Sequence, residues 1–533
     1  MNSPFLLSIA IFLPLAGALA AAFIPAAERG QHRAIALIAS LATFVVSLAL
    51  YFGFDASAAA PEFQFETKAR WIAVAGIGYH VGLDGVALLL VMLTTALTPI
   101  ALLSAWQAVK ERVKEFAIAL LVLETAMIGT FAALDLVLFY VFWEAVLVPM
   151  YLLIGIWGSD NRLYATVKFF VYTFTASVLM LVAIIYVGTR AGGTFDYVQV
   201  RESLQAGFLG SAERWVFLAF AVAFAVKVPM LPLHTWLPDA HTEAPTAGSV
   251  ILASVLLKMG TFGFFRYALP LFPQAALHFR PAIATLAVVG ILYGALMCLV
   301  QKDMKRLIAY SSVSHMGFVM LGLMAFTAQG LAGSVYQMLN HGVSTGALFL
   351  LVGMLYERRH TRLIAEFGGI ARQVPWVATA FVVVTLSSIG LPGTNGFVGE
   401  FLVLAGTWLG RLQGHLFGQR VGAPWFAALA ALGVILGAVY MLLLVERVFF
   451  GPVKGERDAA LSDFSLREWL VLAPLLVLIV VMGLVPQPFL DRTKEPVDRL
   501  LARFATAEER LRGEDPLRPP ATGSLPPALT RRE

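Results

Sequence analysis

The sequence predicts an all-α integral membrane protein of about 14 transmembrane helices, two of them broken, arranged as two inverted five-helix repeats. Three observations predict it. Apolar runs of about 20 residues, enough to cross the hydrocarbon of a bilayer, recur along most of the chain. Only 13% of the 533 residues are charged, about half the share usual in soluble domains. Ionisable side chains recur near the middle of those runs, where each costs about 2.5–3.5 kcal/mol on insertion scales.

The runs fall at roughly 4–25, 33–53, 81–105, 114–132, 134–157, 166–190, 215–237, 245–269, 280–299, 304–327, 331–355, 373–409, 424–448 and 468–489. The first lacks the basic residues that precede a signal-peptide core, so it reads as a retained span. The seventh is interrupted by Pro229 and Pro232. The twelfth is too long for one straight helix; it contains Ser387-Ser388-Ile389-Gly390-Leu391-Pro392-Gly393 and reads as a broken helix. With the N-terminus outside, the cytoplasmic loops hold 18 Lys and Arg and the external loops 9, the expected bias. An even span count puts the C-terminus outside as well, which for a bacterial inner membrane is the periplasm. The charged, Pro-rich tail from about 490 reads as a helix over Val497 to Leu511 followed by a disordered end.

The chain divides accordingly. Residues 1–113 hold spans 1–3, 114–269 a first repeat unit, 280–450 a second, 451–489 a cytoplasmic loop and the last span, and 490–533 the tail. Glu144 to Lys227 is 83 residues and His315 to Glu400 is 85. Each interval starts at a mid-span ionisable group and ends beside a proline-broken helix. A shift of five spans inverts topology, as in the inverted repeats of transporters.

Composition excludes several functions. The single cysteine, Cys298, rules out a Cys-ligated iron–sulfur cluster or a disulfide framework. No GxGxxG follows a strand pattern and no GxxxxGK[ST] occurs, so no nucleotide or flavin site is expected. No metal site is expected either. The net charge of +5 resides mostly in short loops and signals topology, not nucleic acid.

What remains is chemistry by proton transfer. Glu144, Lys227, Lys258, His315 and His341 lie deep in their spans, too deep to snorkel. Glu400 lies in the broken twelfth. Burial disfavours the charged form of each and a nearby opposite charge restores it, while histidine titrates near neutrality unaided. Glu–Lys–Lys–His–His–Glu at one depth makes a relay along the membrane plane. The histidines also suit packed core groups donating to carbonyls, and Glu124 suits either a packing role or a secondary path. Pro229 and Pro392 free backbone groups that water or protein must satisfy. His234, with Asp239, His241 and Glu243, suits a hydrated inlet or a hinge.

Lys227-Val228-Pro229-Met230-Leu231-Pro232-Leu233-His234-Thr235-Trp236-Leu237-Pro238-Asp239-Ala240-His241, then Glu243-Ala244-Pro245-Thr246 and Lys258, resembles the antiporter-like subunits of respiratory complex I. So do Tyr79-His80-Val81-Gly82-Leu83-Asp84-Gly85-Val86, Trp143-Glu144, and Ala309-Tyr310-Ser311-Ser312-Val313-Ser314-His315-Met316-Gly317. The likeness runs from about residue 1 to 489. Most members carry lysine where this chain has Glu400, which marks one branch. The resemblance implies a proton-translocating membrane-arm subunit in which Glu144 and Lys227 form a charge pair, Lys258 is the central carrier, His315 and His341 link onward, and Glu400 is the terminal group. It implies NADH, FMN, iron–sulfur clusters and quinone in other subunits and none in this chain. It also implies lipid and other membrane-arm subunits, including two further antiporter-like ones, as partners. Rival readings are a multisubunit Na⁺/H⁺ antiporter subunit, a related hydrogenase or photosynthetic complex subunit, and an inert scaffold.

Overall fold

A computed structural model describes residues 5–205, 209–416, 419–454, 458 and 460–512. They form a helical bundle with two small β-ribbons. In chain order the elements are α1 (Phe5–Phe23), α2 (Arg29–Gly53), β1 (Gln64–Ile72), β2 (Ile77–Leu83), α3 (Gly85–Ser104), α4 (Val113–Ala132), α5 (Leu136–Ala145), α6 (Leu147–Trp157), α7 (Arg162–Arg190), α8 (Tyr197–Gln205), α9 (Glu213–Lys227) and α10 (Trp236–Glu243). Then come α11 (Thr246–Leu271), α12 (Pro273–Leu299), α13 (Met304–Ala325), α14 (Ala328–Arg359), α15 (Pro375–Ser388), α16 (Asn395–Leu409), the ribbon β3 (Gln413–Leu416) and β4 (Gln419–Gly422), α17 (Ala423–Phe449), α18 (Leu466–Leu484) and α19 (Gln487–Arg512).

Among the described residues, 12 helices are long and apolar enough to cross a membrane, α5 and α6 counting as one. The apolar stretches of α11, α13 and α14 are wholly buried, so these three form the core. Around them α1, α2, α7, α12, α17 and α18 bury less than half. They turn residues such as Val45, Val182 and Ile435 outward, a surface that suits lipid or another apolar protein face and not water.

Two small-residue contacts bring the core helices together. Gly342 and Gly346 lie four apart on α14, and a Cβ on either would strike Ser254 of α11, at its carbonyl oxygen (3.1 Å) or its Oγ (2.6 Å) respectively. This GxxxG spacing permits close backbone approach in apolar surroundings. Ser254 Oγ then donates to the Gly342 carbonyl across the contact, at 2.7 Å.

The structure corrects several sequence expectations. The third span begins at Gly85, not 81, because residues 77–83 form β2, antiparallel to β1. Asp84 caps α3 by accepting from the Ala87 N–H at 2.8 Å. The ninth begins at Pro273, seven residues earlier than 280. Arg266, Arg280 and Lys305, assigned to loops, are buried in helices. Each has a local partner. Arg266 Nη2 pairs with Asp84 Oδ2 at 2.5 Å. Arg280 donates to the Met324 and Ala325 carbonyls at the end of α13. Lys305 Nζ donates to the Ala244 carbonyl. The tail helix is α19, ten residues longer at its start than the expected 497–511. The expected disordered end beyond it lies outside the described residues.

Candidate proton-transfer site

Both proline breaks occur as expected, but protein groups satisfy the freed backbone. After α9 the Ala225 carbonyl accepts from Met230 N–H at 2.9 Å, and the Val226 carbonyl accepts from Trp236 Nε1–H at 2.8 Å. The chain passes Pro229 and resumes at α10. Between α15 and α16 the break spans Ile389 to Thr394 and holds Pro392, with Gly390 at φ +71° and Gly393 at φ +92°. Those angles favour glycine. Below the break, Ser387 Oγ donates to Asn395 Oδ1 (2.5 Å) and meets Ser344 Oγ of α14 (2.6 Å), which ties the two half-helices to the core.

Lys258 is fully buried. Two π-helical turns, Leu252–Leu256 and Phe264–Ala268, interrupt α11 on either side of it. Such wide turns recur at functional positions. Its Nζ reaches back to the Ala253 carbonyl at 2.6 Å and across to His341 Nδ1 at 2.6 Å. His341, on α14, sits with its ring centroid 5.7 Å from that of His315 on α13. His315 Nδ1 lies 3.4 Å from Glu400 Oε1, and its Nε2 lies 3.4 Å from Ser388 Oγ. Glu400, on α16, accepts from Gln337 Nε2 at 3.2 Å, and Gln337 Oε1 in turn accepts from Asn340 Nδ2 at 3.0 Å.

The order along this line is therefore Lys258–His341–His315–Glu400, which reverses the two histidines relative to their sequence order. Four helices contribute to it, and all four residues are buried. The chemistry matches the geometry. A lysine ammonium donates to a neutral imidazole nitrogen, or a neutral amine accepts from a protonated one; a 2.6 Å contact suits either direction. Histidine passes a proton in at one nitrogen and out at the other. The carboxylate accepts at the end.

The other predicted residues stand apart from that line. Lys227 Nζ is buried, lies 5.0 Å from the Trp143 ring centroid and has no protein hydrogen-bond partner. Glu144 is half-buried and within electrostatic reach of Lys227, Tyr140 and Ser177. No ion pair within 4.0 Å joins it to Lys227 among the described residues. Glu124 is fully buried; Thr98 faces it, but the Thr98 hydroxyl hydrogen goes to the Thr94 carbonyl at 3.0 Å. His234 packs edge-on against Tyr293, centroids 5.1 Å apart.

Two groups were not singled out as carriers from the sequence. His241 is fully buried and stacks flat on Phe349, 4.6 Å between centroids, with neither ring nitrogen bonded to protein. It lies within electrostatic reach of both Lys305 and Lys258. Lys305 lines a cavity of about 1100 Å³, rimmed by Lys110, Glu357, His360 and Arg362. The long motif ending in Asp239-Ala240-His241 carried the signal for His241. Lys305 was hidden because a lysine one residue into a span looks like a loop charge.

A profile described as "NADH:quinone oxidoreductase/Mrp antiporter, TM" matches residues 133–417, more than half of the chain. The chain is 47% identical over 513 residues to NADH-quinone oxidoreductase subunit M of Rhodobacter capsulatus, covering 94% of this chain and 97% of that one. The chain belongs to the subunit M/chain 4 family of NADH:quinone oxidoreductase. A plant member, NADH-ubiquinone oxidoreductase chain 4 of Arabidopsis thaliana, is 44% identical, covering 93% of this chain and 97% of its own. Within the family the fold is shared closely. A chain of respiratory complex I from Thermus thermophilus with bound NADH superposes with a TM-score of 0.81 at 33% identity, covering 93% of this chain and 99% of that one. The Mrp complex from Dietzia sp. shares the fold alone, with a TM-score of 0.78 at 19% identity over 95% of this chain and 55% of its own.

Proposed function

We propose that this protein is a membrane-arm subunit of a bacterial NADH:quinone oxidoreductase. In this reading it translocates protons across the inner membrane, driven by quinone reduction in other subunits. The observation that carries the mechanism is the buried line Lys258–His341–His315–Glu400 through the core. A scaffold has no need of ionisable groups that cost several kcal/mol each to place there.

In this mechanism the broken pairs α9/α10 and α15/α16 each cross once, which brings the total to fourteen spans in two inverted five-helix units. Both termini then lie on the periplasmic side. Glu144 and Lys227 are separate in the structure described here. Their approach stabilises the Lys227 ammonium, and their parting releases its proton. Lys305 and His241 connect the cytoplasmic cavity to Lys258. From Lys258 the proton passes to His341. The centroid spacing of 5.7 Å to His315 brings the two ring edges close enough for a proton to pass between ring nitrogens after a small rotation, and His315 delivers to Glu400. NADH, FMN, iron–sulfur clusters and quinone belong to the partner subunits, which include two further antiporter-like chains.

The test is Glu144→Gln or Lys227→Ala in the assembled complex, read as NADH-driven proton uptake by inverted vesicles. Loss of pumping with normal assembly is expected. Unchanged pumping overturns the coupling role of the pair.

A further inference from the structure

At the end of the bundle where α2 stops and α3 begins, a cavity of about 50 Å³ is enclosed by the 54–64 loop, α8, the end of α11 and α19. It takes no part in the proton line, although α11 carries both Lys258 and the lining residue Arg266, and arginine dominates its wall.

Five guanidiniums line it, against the four carboxylates of Asp55, Glu62, Asp84 and Glu495. Most of those acids are already engaged. Glu62 takes Arg201 bidentately, at 2.5 and 2.7 Å, and Arg499 at 3.5 Å. Glu495 takes Arg499 at 2.7 Å. Asp84 takes Arg266 at 2.5 Å while also capping α3. Asp55 accepts from the Ser57 N–H. Arg492 lies over the Tyr51 ring, 3.9 Å from its centroid, and Arg503 forms no ion pair within 4.0 Å among the described residues. After pairing, the cavity is left with positive charge.

Donors remain spare as well. Arg266 is 2% exposed and held between the rings of Phe63 and Phe262, yet its Nη1 has no protein acceptor. The same is true of Arg201 Nε, on a residue 6% exposed, and of Arg503 Nη1, itself a buried atom. Buried donors are normally satisfied. Three guanidiniums with open N–H groups around one small cavity call for an acceptor with several oxygens and negative charge. Guanidinium matches phosphate in this way.

The position selects the source. Phe52, two residues before the cavity-lining Phe54, is 79% exposed at the end of the outward-facing α2. An apolar side chain so exposed beside a cationic cavity at a span end sits where acyl chain meets headgroup. We propose that this cavity is a binding site for a phosphate ester, the headgroup phosphate of an anionic phospholipid, clasped between the 54–64 loop and α19.

The test uses the intact complex, purified and depleted of lipid. Hydrogen exchange of residues 54–64 is followed with phosphatidylglycerol micelles, phosphatidylcholine micelles, or inorganic phosphate. Phosphatidylglycerol at tenfold above its dissociation constant is expected to slow exchange by about 10-fold, and phosphatidylcholine to do little, because its choline cation meets the same arginines. Arg503→Gln breaks no ion pair; it is expected to abolish the protection, and Arg503→Lys to retain part of it. Equal protection by inorganic phosphate keeps the phosphate site but overturns the lipid source. No protection by either anionic probe, equal protection by phosphatidylcholine, or full protection in Arg503→Gln overturns the proposal.

Discussion

The line from Lys258 to Glu400 ends on a carboxylate that Gln337 bonds, and Gly390 offers a way to move it. An added Cβ at Gly390 would lie 2.6 Å from Glu400 Oε2. Ordinary contact begins near 3.4 Å, so the carboxylate must retreat by about 0.8 Å. The Oε1 that lies 3.4 Å from His315 Nδ1 belongs to the same carboxylate, so the shift disturbs a contact already near the limit of hydrogen-bonding reach. A misplacement of about 1 Å at a reacting centre can cost about 10²-fold. Gly390 also sits at φ +71°, which adds about 1–2 kcal/mol of strain for alanine. Gly393 separates the two effects. Its φ is +92°, and a Cβ there meets nothing within 4 Å. Gly393→Ala therefore carries the strain without the push. NADH-driven acidification of inverted vesicles, normalised to assembled complex, is expected to fall about tenfold or more in Gly390→Ala and far less in Gly393→Ala. Equal losses in the two variants, or wild-type pumping in Gly390→Ala, would refute the argument.

Three further outcomes follow from the same contacts. Lys258→Met removes the group between the Ala253 carbonyl and His341, and should lower the pumping rate by about 10² or more, the usual contribution of a placed acid–base group; the same vesicle assay checks it. Asp84→Asn leaves the buried Arg266 without its carboxylate, at a cost of about 3–5 kcal/mol, so the complex should dissociate at lower temperature on native gels, and Asp84→Asn with Arg266→Met should recover part of the loss. Beside the β1–β2 ribbon, burial alone raises the Asp196 carboxyl, but His80 and Lys68 of the ribbon, at 2.8 and 2.6 Å, hold it well below the ordinary range. Folding thus favours its ionised form, and the resulting stability is complete above about pH 4 and lost as pH falls through the lower folded value. Hydrogen exchange of residues 77–83 should rise in that acid window, and Asp196→Asn should exchange faster at neutral pH and lose the acid limb.

Much of the site was legible because burying charge in a membrane is costly and therefore conspicuous. Lys258, His315 and His341 were found from depth and Glu400 from its place in a broken span, and the structure brings the four together. Their spatial order was not legible, because it depends on how α13 and α14 pack, and a one-dimensional depth reading contains no azimuth. The ribbon β1–β2 was missed for a different reason. Its first strand, Gln64–Ile72, is mostly exposed and polar, and its second runs straight into the apolar start of α3. Asp84 followed by Gly85 was a readable cap signal at that junction. Arg266 and Arg280 were read as loop cations because composition cannot see the carboxylate or carbonyls that receive them.

The π-turn at Leu252–Leu256 makes α11 sensitive to how many residues precede Lys258. A π-turn is an α-helix with one residue too many, and the surplus is absorbed locally. Deleting one residue there would let the segment relax to regular α-helix, and because the surplus sits within the turn, Lys258 would keep the face that meets His341. A regular α-helix has no such slack: one residue deleted from it turns everything downstream by about 100°. Between relatives of this chain, a single-codon gap in this short stretch would therefore be tolerated, where the same gap in the regular turn before it would carry Lys258 away from His341.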